Sequence, residues 1–356
     1  MQRALIFSVV VVAAALVLAG AELMARIGGR VTRGEWPSTA EWSSYQQQSD
    51  VLDIYQRHPF LNVAPRASSS VALGERSASF NELGYRGPDR PGPTQRPRIL
   101  VAGGSAAFDL LASNDQASWP MLLEQRLKEL GFEAEVWNAG FPGWTSLENV
   151  ISLAVRDRDL QPKIALLFQG VNDIQPASLR PFDKEYVDHA AILRGALGFD
   201  TAPPSLLHRS ILLAYFRPRL PPEEYSLARS IAPEAKQVFR RNVRSWVALA
   251  RDSGATPVLV AQPMRVREDA RAFDRNYLES WLRIEEAGAF RALDQLNETL
   301  REVASEHDGT LYVDATVILD RDEHFSDPFH FSQLGSQTLA EALAERLAGP
   351  QLLVSK

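Results

Sequence analysis

Three residues of this chain have the types and the order from which a nucleophilic triad is built. Ser105 follows two glycines at the end of an apolar run, and Asp327 and His330 stand three residues apart in SDPFHFSQLG. A serine hydroxyl is a poor nucleophile until a base removes its proton, and His330 is the natural base. Asp327 would hold the imidazole in one tautomer and stabilise its positive charge. In isolation, the Asp-x-x-His step could equally be a loop that caps the next helix.

Three further groups could stabilise the oxyanion that forms when a hydroxyl attacks an acyl carbonyl. They are the backbone N–H groups of Ser105 and Gly140 and the side-chain amide of Asn172, in the sequences GGS, NAGFPG and GVND. Losing one fixed donor of this kind costs about 3 to 4 kcal/mol of activation free energy. Each motif alone is also typical of an ordinary turn, so only their combination is informative.

Alternating strand and helix patterns must position these residues. Five short apolar runs, predicted as strands, are RILVAGG, AEVWNAG, KIALLFQG, TPVLVAQP and GTLYVDA, and helical patterns separate or follow them. This alternation predicts a parallel sheet covered on both faces, which is a three-layer α/β/α sandwich over residues 98–349. The polar motifs follow strand ends or lie in the last loop. Because ligands bind outside the carboxyl ends of parallel strands, Ser105, Gly140, Asn172 and His330 are expected to converge there.

Other segments break the strand and helix rhythm. Residues 31–97 are polar and rich in Pro, Ser and Arg, which predicts an irregular stalk or lead-in. Two insertions, at about 174–231 and 264–287, follow strand ends and lack a clear period. They are candidates for the walls of a substrate pocket, although purely decorative loops would look the same.

The N-terminus is apolar in a way that the rest of the chain is not. Ala4 to Ala21 carry no charge, and that length lies between a signal-peptide core and the roughly 20 apolar residues of a spanning helix. We therefore expect residues 1–30 to be a transmembrane anchor, or a signal segment if the chain is cleaved after AGA. The rest of the chain would then lie outside the cytoplasm, either periplasmic or extracellular.

Composition excludes several classes of function. Lys plus Arg number 38 against 44 Asp plus Glu, so the net charge is −6 and nucleic acid is not an expected partner. There are no cysteines, which rules out disulfides, thiolate metal sites and iron–sulfur clusters. The histidines outside the Asp-x-x-His step show no metal-ligand spacing, so we expect no metal and no cofactor.

Read in order, GGS, NAGFPG, GVND and DPFH resemble the SGNH hydrolase superfamily, also called GDSL esterases. The resemblance covers about 98–349 and implies a flavodoxin-like sheet of five parallel strands. It also implies a triad of Ser105, Asp327 and His330 and an oxyanion hole of Ser105, Gly140 and Asn172. NELGYRGPDRP, residues 81–91, resembles the lead-in of membrane-anchored bacterial members.

The resemblance implies a serine hydrolase acting on acyl or O-acetyl esters of glycans or lipids. Two alternatives remain open from the sequence. The acyl-enzyme could pass its acyl group to a sugar hydroxyl, which would make the chain an O-acetyltransferase of envelope polysaccharide. The domain could also be a non-catalytic protein that binds glycan or an assembly partner. The oligomeric state cannot be read from the sequence.

Two positions depart from the family pattern. Gly104 replaces the aspartate of GDSL, a change common in members that read GGS. Asp109 stands where the family usually has glycine, four residues after the serine. We expect Asp109 to alter the loop after Ser105, and its carboxylate near the pocket to raise the pKa of His330 or to repel anionic substrates.

Overall fold

The structure is a computed structural model that describes residues 2–33, 54–90, 95–197, 199, 226–265, 272–348 and 350–353. Two compact units are present. One comprises Met1–Leu52 with Gly198–Tyr225, and the other comprises Asp53–Leu197 with Ser226–Lys356. Most of the predicted stalk before residue 54, and the greater parts of 198–225 and 266–271 within the predicted insertions, lie outside the described residues.

The described part of the first unit is one helix, α1, spanning Gln2–Arg33. Among the residues that the structure describes, no helix combines the length and the apolar character needed to cross a membrane. The anchor or signal segment expected for residues 1–30 stays a prediction.

The lead-in to the second unit differs from the irregular segment that the sequence predicts. It contains two antiparallel hairpins, β1 (Tyr55–Arg57) with β2 (Val63–Pro65) and β3 (Ser69–Leu73) with β4 (Arg76–Phe80). Strands of three to five residues give little periodic signal in the sequence.

The lead-in packs on the rest of its unit. Trp144 donates its indole N–H to the carbonyl of Val63 at 2.8 Å and is buried beneath the lead-in. The Tyr85 hydroxyl donates to the Asp157 carboxylate at 2.8 Å, across 72 positions of sequence. The compact unit therefore begins near residue 54 and not at residue 98.

The five predicted strands of the second unit form the expected parallel sheet. They are β5 (Arg98–Gly103), β6 (Glu135–Asn138), β7 (Ile164–Phe168), β8 (Thr256–Ala261) and β9 (Leu311–Asp314). Their order across the sheet is β6-β5-β7-β8-β9, and all neighbours are parallel. This is the doubly wound order of flavodoxin-like folds. The predicted fold class is confirmed.

Helices cover both faces of the sheet. In chain order they are α2 (Ser105–Phe108), α3 (Trp119–Glu129), α4 (Ser146–Val155), α5 (Val171–Ser178), α6 (Val187–Ala196), α7 (Ala235–Asp252), α8 (Ala272–Leu282), α9 (Glu286–Glu306), α10 (Gln333–Leu347) and α11 (Pro350–Leu353). The predicted insertions contain described helices: α6 and the end of α5 lie in the first, and α8 lies in the second.

Successive side chains of each strand point to opposite faces of the sheet and so belong to two different hydrophobic cores. Leu100 and Leu259 point to the face covered by α4, α7 and α9, whereas Val101 and Val258 point to the face covered by α3 and α10. This alternation follows from the two-residue period of a strand, and burial on both faces explains why the strands read as continuous apolar runs.

Candidate active site

The candidate nucleophile lies at a sharp turn between β5 and α2. Strand β5 ends at Gly103, and Ser105 is the first residue of the one-turn helix that follows. Gly103 has φ +152°, and a β-carbon on it would overlap the carbonyl oxygen of Phe168 on β7. The turn therefore needs glycine at this position, and it leaves the Ser105 side chain half-buried at the carboxyl edge of the sheet.

Ser105, His330 and Asp327 form one continuous chain of hydrogen bonds. His330 Nε2 lies 2.7 Å from Ser105 Oγ, and its Nδ1 lies 2.6 Å from Asp327 Oδ2. The imidazole is buried, with only 3 % of its residue surface exposed. With Nδ1 protonated toward the carboxylate, Nε2 is free to accept the proton of the serine hydroxyl.

The Asp327 carboxylate is fixed by the backbone of its own loop. Its Oδ1 accepts the N–H groups of Phe329 at 3.0 Å and His330 at 2.8 Å, which leaves Oδ2 for the imidazole. Burial acts to raise the pKa of Asp327, but the facing His330 and these hydrogen bonds outweigh it and lower the pKa below its ordinary value. Asp327 is therefore suited to remain charged while it orients the imidazole.

Gly140 and Asn172 both lie against the turn that carries Ser105. A β-carbon on Gly140 would stand 2.6 Å from the amide nitrogen of Phe108 on α2, and one on Gly104 would overlap Nδ2 of Asn172. Glycine at position 104 thus makes room for the Asn172 amide. The Ser105 N–H is in the first turn of α2, where helical N–H groups have no partner within the helix.

The other two candidate oxyanion donors already make hydrogen bonds. Asn172 Nδ2 donates one hydrogen to the carbonyl of Trp144 at 2.9 Å, so its second hydrogen remains for an oxyanion. The Gly140 N–H donates to Oδ1 of Asn138 at 3.1 Å. An oxyanion would have to share or replace this last bond.

Asp109 behaves differently from the expectation drawn from the sequence. It ends α2 with φ 62° and ψ 61°, so it adopts the left-handed backbone conformation that favours glycine. Its carboxyl is buried, and Oδ2 accepts hydrogen bonds from Trp119 N and Ser336 Oγ, both at 2.8 Å. The predicted carboxylate in the pocket is therefore absent, because the group is turned toward α3 and α10.

Burial raises the pKa of Asp109. The hydrogen bonds from Ser336 and Trp119 and the charges of Arg86 and His330 act in the opposite direction but do not cancel the effect of burial. One carboxyl oxygen, Oδ1, has no hydrogen-bond partner within the described structure.

A buried polar cluster lies behind Asn172. The neighbouring Asp173 accepts hydrogen bonds from the Ser146 backbone and hydroxyl and from Gln169 Nε2. Asn242 on α7 donates in turn to Ser146 Oγ at 2.9 Å. Burial raises the pKa of Asp173 to about 7, although the hydrogen bonds from Ser146 and Gln169 act to lower it. This cluster fixes the start of α5, on which Asn172 stands.

The loop that carries Asp327 and His330 is pressed onto the first turn of α10. Ser332 caps this helix by accepting the N–H of Gly335, and a β-carbon on Gly335 would overlap the carbonyl of His324. The glycine of SDPFHFSQLG therefore allows the loop to reach the helix. His324 is itself buried and contacts Arg321.

Residues 100–338, more than half of the chain, match the GDSL-like Lipase/Acylhydrolase family. The chain belongs to this family. The predicted membership of the SGNH hydrolase superfamily is thereby confirmed, and as a GDSL-like acylhydrolase the chain is an ester hydrolase.

Several solved structures are similar to this GDSL-like acylhydrolase. The lipase/acylhydrolase from Enterococcus faecalis is 19% identical, with a TM-score of 0.46, and the match covers 74% of this chain and 100% of that one. TesA is 18% identical, with a TM-score of 0.42 and coverage of 70% and 97%. The acetyl xylan esterase AlAXEase is 12% identical, with a TM-score of 0.43 and coverage of 70% and 99%. No curated protein matches the chain in sequence.

Sequence reasoning missed some polar residues of this GDSL-like site. It did not predict the Asn138 side chain as the acceptor of the Gly140 N–H, nor the buried Arg86 that contacts the end of α2, nor Asp115, which pairs with Arg86. The signal for Arg86 was the short lead-in motif NELGYRGPDRP, and the signal for Asn138 was its place as the first residue of NAGFPG. Within the described residues, no group of three His, Asp or Glu side chains could hold a metal ion.

Proposed function

We propose that the chain is a serine ester hydrolase that forms an acyl-enzyme on Ser105. The observation that carries this proposal is the continuous hydrogen-bond chain from Asp327 through His330 to Ser105 Oγ. As Oγ attacks the ester carbonyl carbon, His330 Nε2 takes the hydroxyl proton. The tetrahedral intermediate then collapses, the bond to the alcohol oxygen breaks, and the imidazolium returns its proton to the leaving alcohol.

Deacylation repeats the same steps with water as the nucleophile. His330 removes a proton from water, the hydroxide oxygen attacks the acyl carbon, and the Ser105 oxygen leaves and recovers its proton from the imidazolium. The negative charge of both tetrahedral intermediates would be stabilised by the N–H groups of Ser105 and Gly140 and by the free hydrogen of Asn172 Nδ2. The substrates are acyl or O-acetyl esters of glycans or lipids.

We also propose that the enzyme acts outside the cytoplasm. The uncharged run from Ala4 to Ala21 supports this location, as does the exposure of Leu16, Val17 and Leu18, which leave 68, 71 and 63 % of their surface accessible. Cell fractionation followed by protease treatment of intact cells would test it. If the protease cleaves the chain only after the inner membrane has been broken, the chain lies in the cytoplasm and the proposal is contradicted.

A fluorophosphonate probe tests the catalytic proposal directly. It phosphonylates a serine, with loss of fluoride, only where that serine is activated, and intact mass counts the adducts. We expect one adduct on the wild-type chain and none on Ser105→Ala or His330→Ala. An unlabelled, folded wild-type protein would overturn the serine mechanism. If labelling succeeds, release of free acid from an acetylated glycan in water, instead of transfer to added sugar, separates hydrolysis from O-acetyl transfer.

A further inference from the structure

Arg86, from the lead-in, reaches the end of the helix that carries the candidate nucleophile. Its Nη1 donates to the carbonyl of Phe108 at 2.8 Å and to the carbonyl of Asp109 at 2.7 Å. The guanidinium carbon also lies 4.5 Å from the centre of the Phe108 ring. Carbonyls at a helix end have no partner within the helix, so Arg86 satisfies two acceptors at the C-terminus of α2.

The Arg86 side chain is buried and is held by Asp115 and by strand β4 of the lead-in. Only 1 % of it is exposed, and its Nε forms an ion pair with Asp115 Oδ1 at 2.9 Å. Asp115 in turn accepts the backbone N–H of Ser79 at 3.0 Å, and Arg86 Nη2 donates to the carbonyl of Ser77 at 3.4 Å. A planar guanidinium fixed at all of its nitrogens has little freedom to move, and it fixes what it touches.

The same residue also connects to the candidate oxyanion hole. The backbone N–H of Arg86 donates to the carbonyl of Asn138 at 2.9 Å, at the end of β6. The Asn138 side chain spans the remaining gap, because Nδ2 donates to Phe108 O at 3.3 Å and Oδ1 accepts the Gly140 N–H. Arg86 therefore contacts the end of the Ser105 helix with its side chain and the Gly140 loop, through Asn138, with its backbone.

Helix α2 depends on such outside contacts. It has only four residues, and one helical turn fixes several backbone angles for very few internal hydrogen bonds. Its first residue is Ser105, so a small rotation of the helix moves the hydroxyl relative to His330 Nε2. Misplacing a reacting group by 1 Å can cost about 100-fold in rate.

We propose that Arg86 is a positioning residue for acylation, which holds α2 so that the Ser105 hydroxyl stays within reach of His330 and of the oxyanion donors. It does not touch the reacting atoms. The inference rests on the proposed serine mechanism. It also gives the lead-in a part in the chemistry, although residue 86 precedes the region that matches the family.

The chain offers a matched control on the same segment. Arg90 is also largely buried and pairs with Glu124 at 2.6 Å, and it donates to the carbonyl of Val136 at 2.9 Å. Among the described residues, its contacts lie on α3 and on β6, where it also faces the Trp137 ring, and none is to α2. Arg86→Met and Arg90→Met each remove a lead-in guanidinium and an ion pair, but only the first frees α2.

The measured quantity is the rate constant of acylation per active site. Pre-steady-state bursts with an activated p-nitrophenyl ester give this rate constant. Titration with a fluorophosphonate counts the competent active sites. An unfolded fraction therefore lowers the number of sites and not the rate constant. Assays are run below the lowest Tm of the set. We expect Arg86→Met to lower the acylation rate constant by about 10- to 100-fold with little change in KM. The rate constant of Arg86→Lys should lie between those of Arg86→Met and wild type. Arg90→Met should have the same rate constant as wild type.

The outcomes separate this inference from the proposed function. A wild-type chain that the fluorophosphonate does not label overturns the serine mechanism, and the inference with it. A labelled wild type with Arg86→Met and Arg86→Lys as fast per site as Arg90→Met overturns the positioning role alone. If both Arg86 variants fail to fold while Arg90→Met folds, Arg86 is required for folding instead of for positioning Ser105, which also overturns the proposal.

Discussion

At the scale of single residues, the two oxygens of the Asp327 carboxylate have different tasks. Oδ1 accepts two backbone N–H groups, and Oδ2 faces His330 Nδ1. In Asp327→Asn, the amide oxygen would stay with the backbone donors, so Nδ2 would donate to the imidazole. His330 would then carry its proton on Nε2, where it cannot accept the Ser105 proton.

We therefore expect Asp327→Asn to lower kcat at pH 7 by about 10⁴-fold, as for the loss of the correct tautomer in other triads. The Tm should change little, because the loop keeps its backbone hydrogen bonds. Steady-state kinetics and thermal unfolding of the same preparation check both statements. An unchanged kcat would show that Asp327 does not set the tautomer.

Asp109 allows the backbone and the side chain of one residue to be tested separately. Asp109→Gly and Asp109→Ala both remove the carboxyl that accepts from Trp119 and Ser336. Only alanine keeps a β-carbon at φ 62°, where an L-residue is strained. We expect Asp109→Gly to be the more stable of the two by about 1 kcal/mol. Urea unfolding of both variants measures this difference, and equal stability would contradict it.

Residue types in sequence were sufficient to predict which groups meet at the site, but not how each is held. Ser105, Asp327 and His330 have chemistry that can be read from their side chains and order. The orientation of Asp109 could not be predicted, because it depends on α3 and α10, and Ser336 lies 227 positions away from it. The same holds for Gly104, whose missing side chain matters only because Asn172 lies beside it.

At the scale of elements, the contact between the His330 loop and α10 depends on one glycine. A β-carbon on Gly335 would overlap the His324 carbonyl, whereas one on Gly195 in α6 would meet nothing within 4 Å among the described residues. Gly335→Ala should destabilise the protein by about 1 to 3 kcal/mol through overpacking and slow fluorophosphonate labelling of Ser105.

The control, Gly195→Ala, should stabilise the protein by about 0.5 to 1 kcal/mol, because alanine is the better helix former. Its labelling rate should equal that of wild type. Denaturant unfolding and labelling kinetics measure both variants. If both substitutions stabilised or both destabilised the protein, the close contact between Gly335 and the His324 carbonyl would not explain the effect of Gly335→Ala.

The strands of the parallel sheet and the helices that cover it were predicted well, whereas the lead-in hairpins and α2 were not. The five sheet strands read as continuous apolar runs because both of their faces are buried, and the helices α3, α4, α7, α9 and α10 show a helical apolar period because each packs on the sheet. The hairpins β1–β4 and the single turn α2 are three to five residues long, and distant contacts hold them in place. Such contacts leave no period in the sequence.

At the scale of the whole molecule, the cluster around Asp173 couples folding to pH. Its pKa of about 7 in the folded chain exceeds the ordinary value of 3.8, so the folded state binds a proton that the unfolded state has released between those values. Stability from this group therefore falls as pH rises from about 4 to 7 and then levels off. His189 nearby acts in the opposite direction, because burial lowers its pKa.

We expect Asp173→Asn to remove the contribution of this carboxyl. Its Tm relative to wild type should rise as pH increases from 5 to 8, by an amount that reflects at most a few kcal/mol. The control is Asp252→Asn, which removes an exposed carboxylate and should leave the pH dependence as in wild type. Thermal unfolding across this range measures it, and a constant Tm difference for Asp173→Asn would contradict the prediction.

The burial of the lead-in has a consequence for how such chains are divided into domains. The region shared with the family begins at residue 100, but Tyr85 and Arg86 are already part of the interior, and Asp115 depends on an ion pair with Arg86. A fragment trimmed to 100–338 would leave that carboxylate and two helix carbonyls without their donor. The region that matches the family is thus shorter than the compact unit to which it belongs. A fragment for expression should therefore include the lead-in.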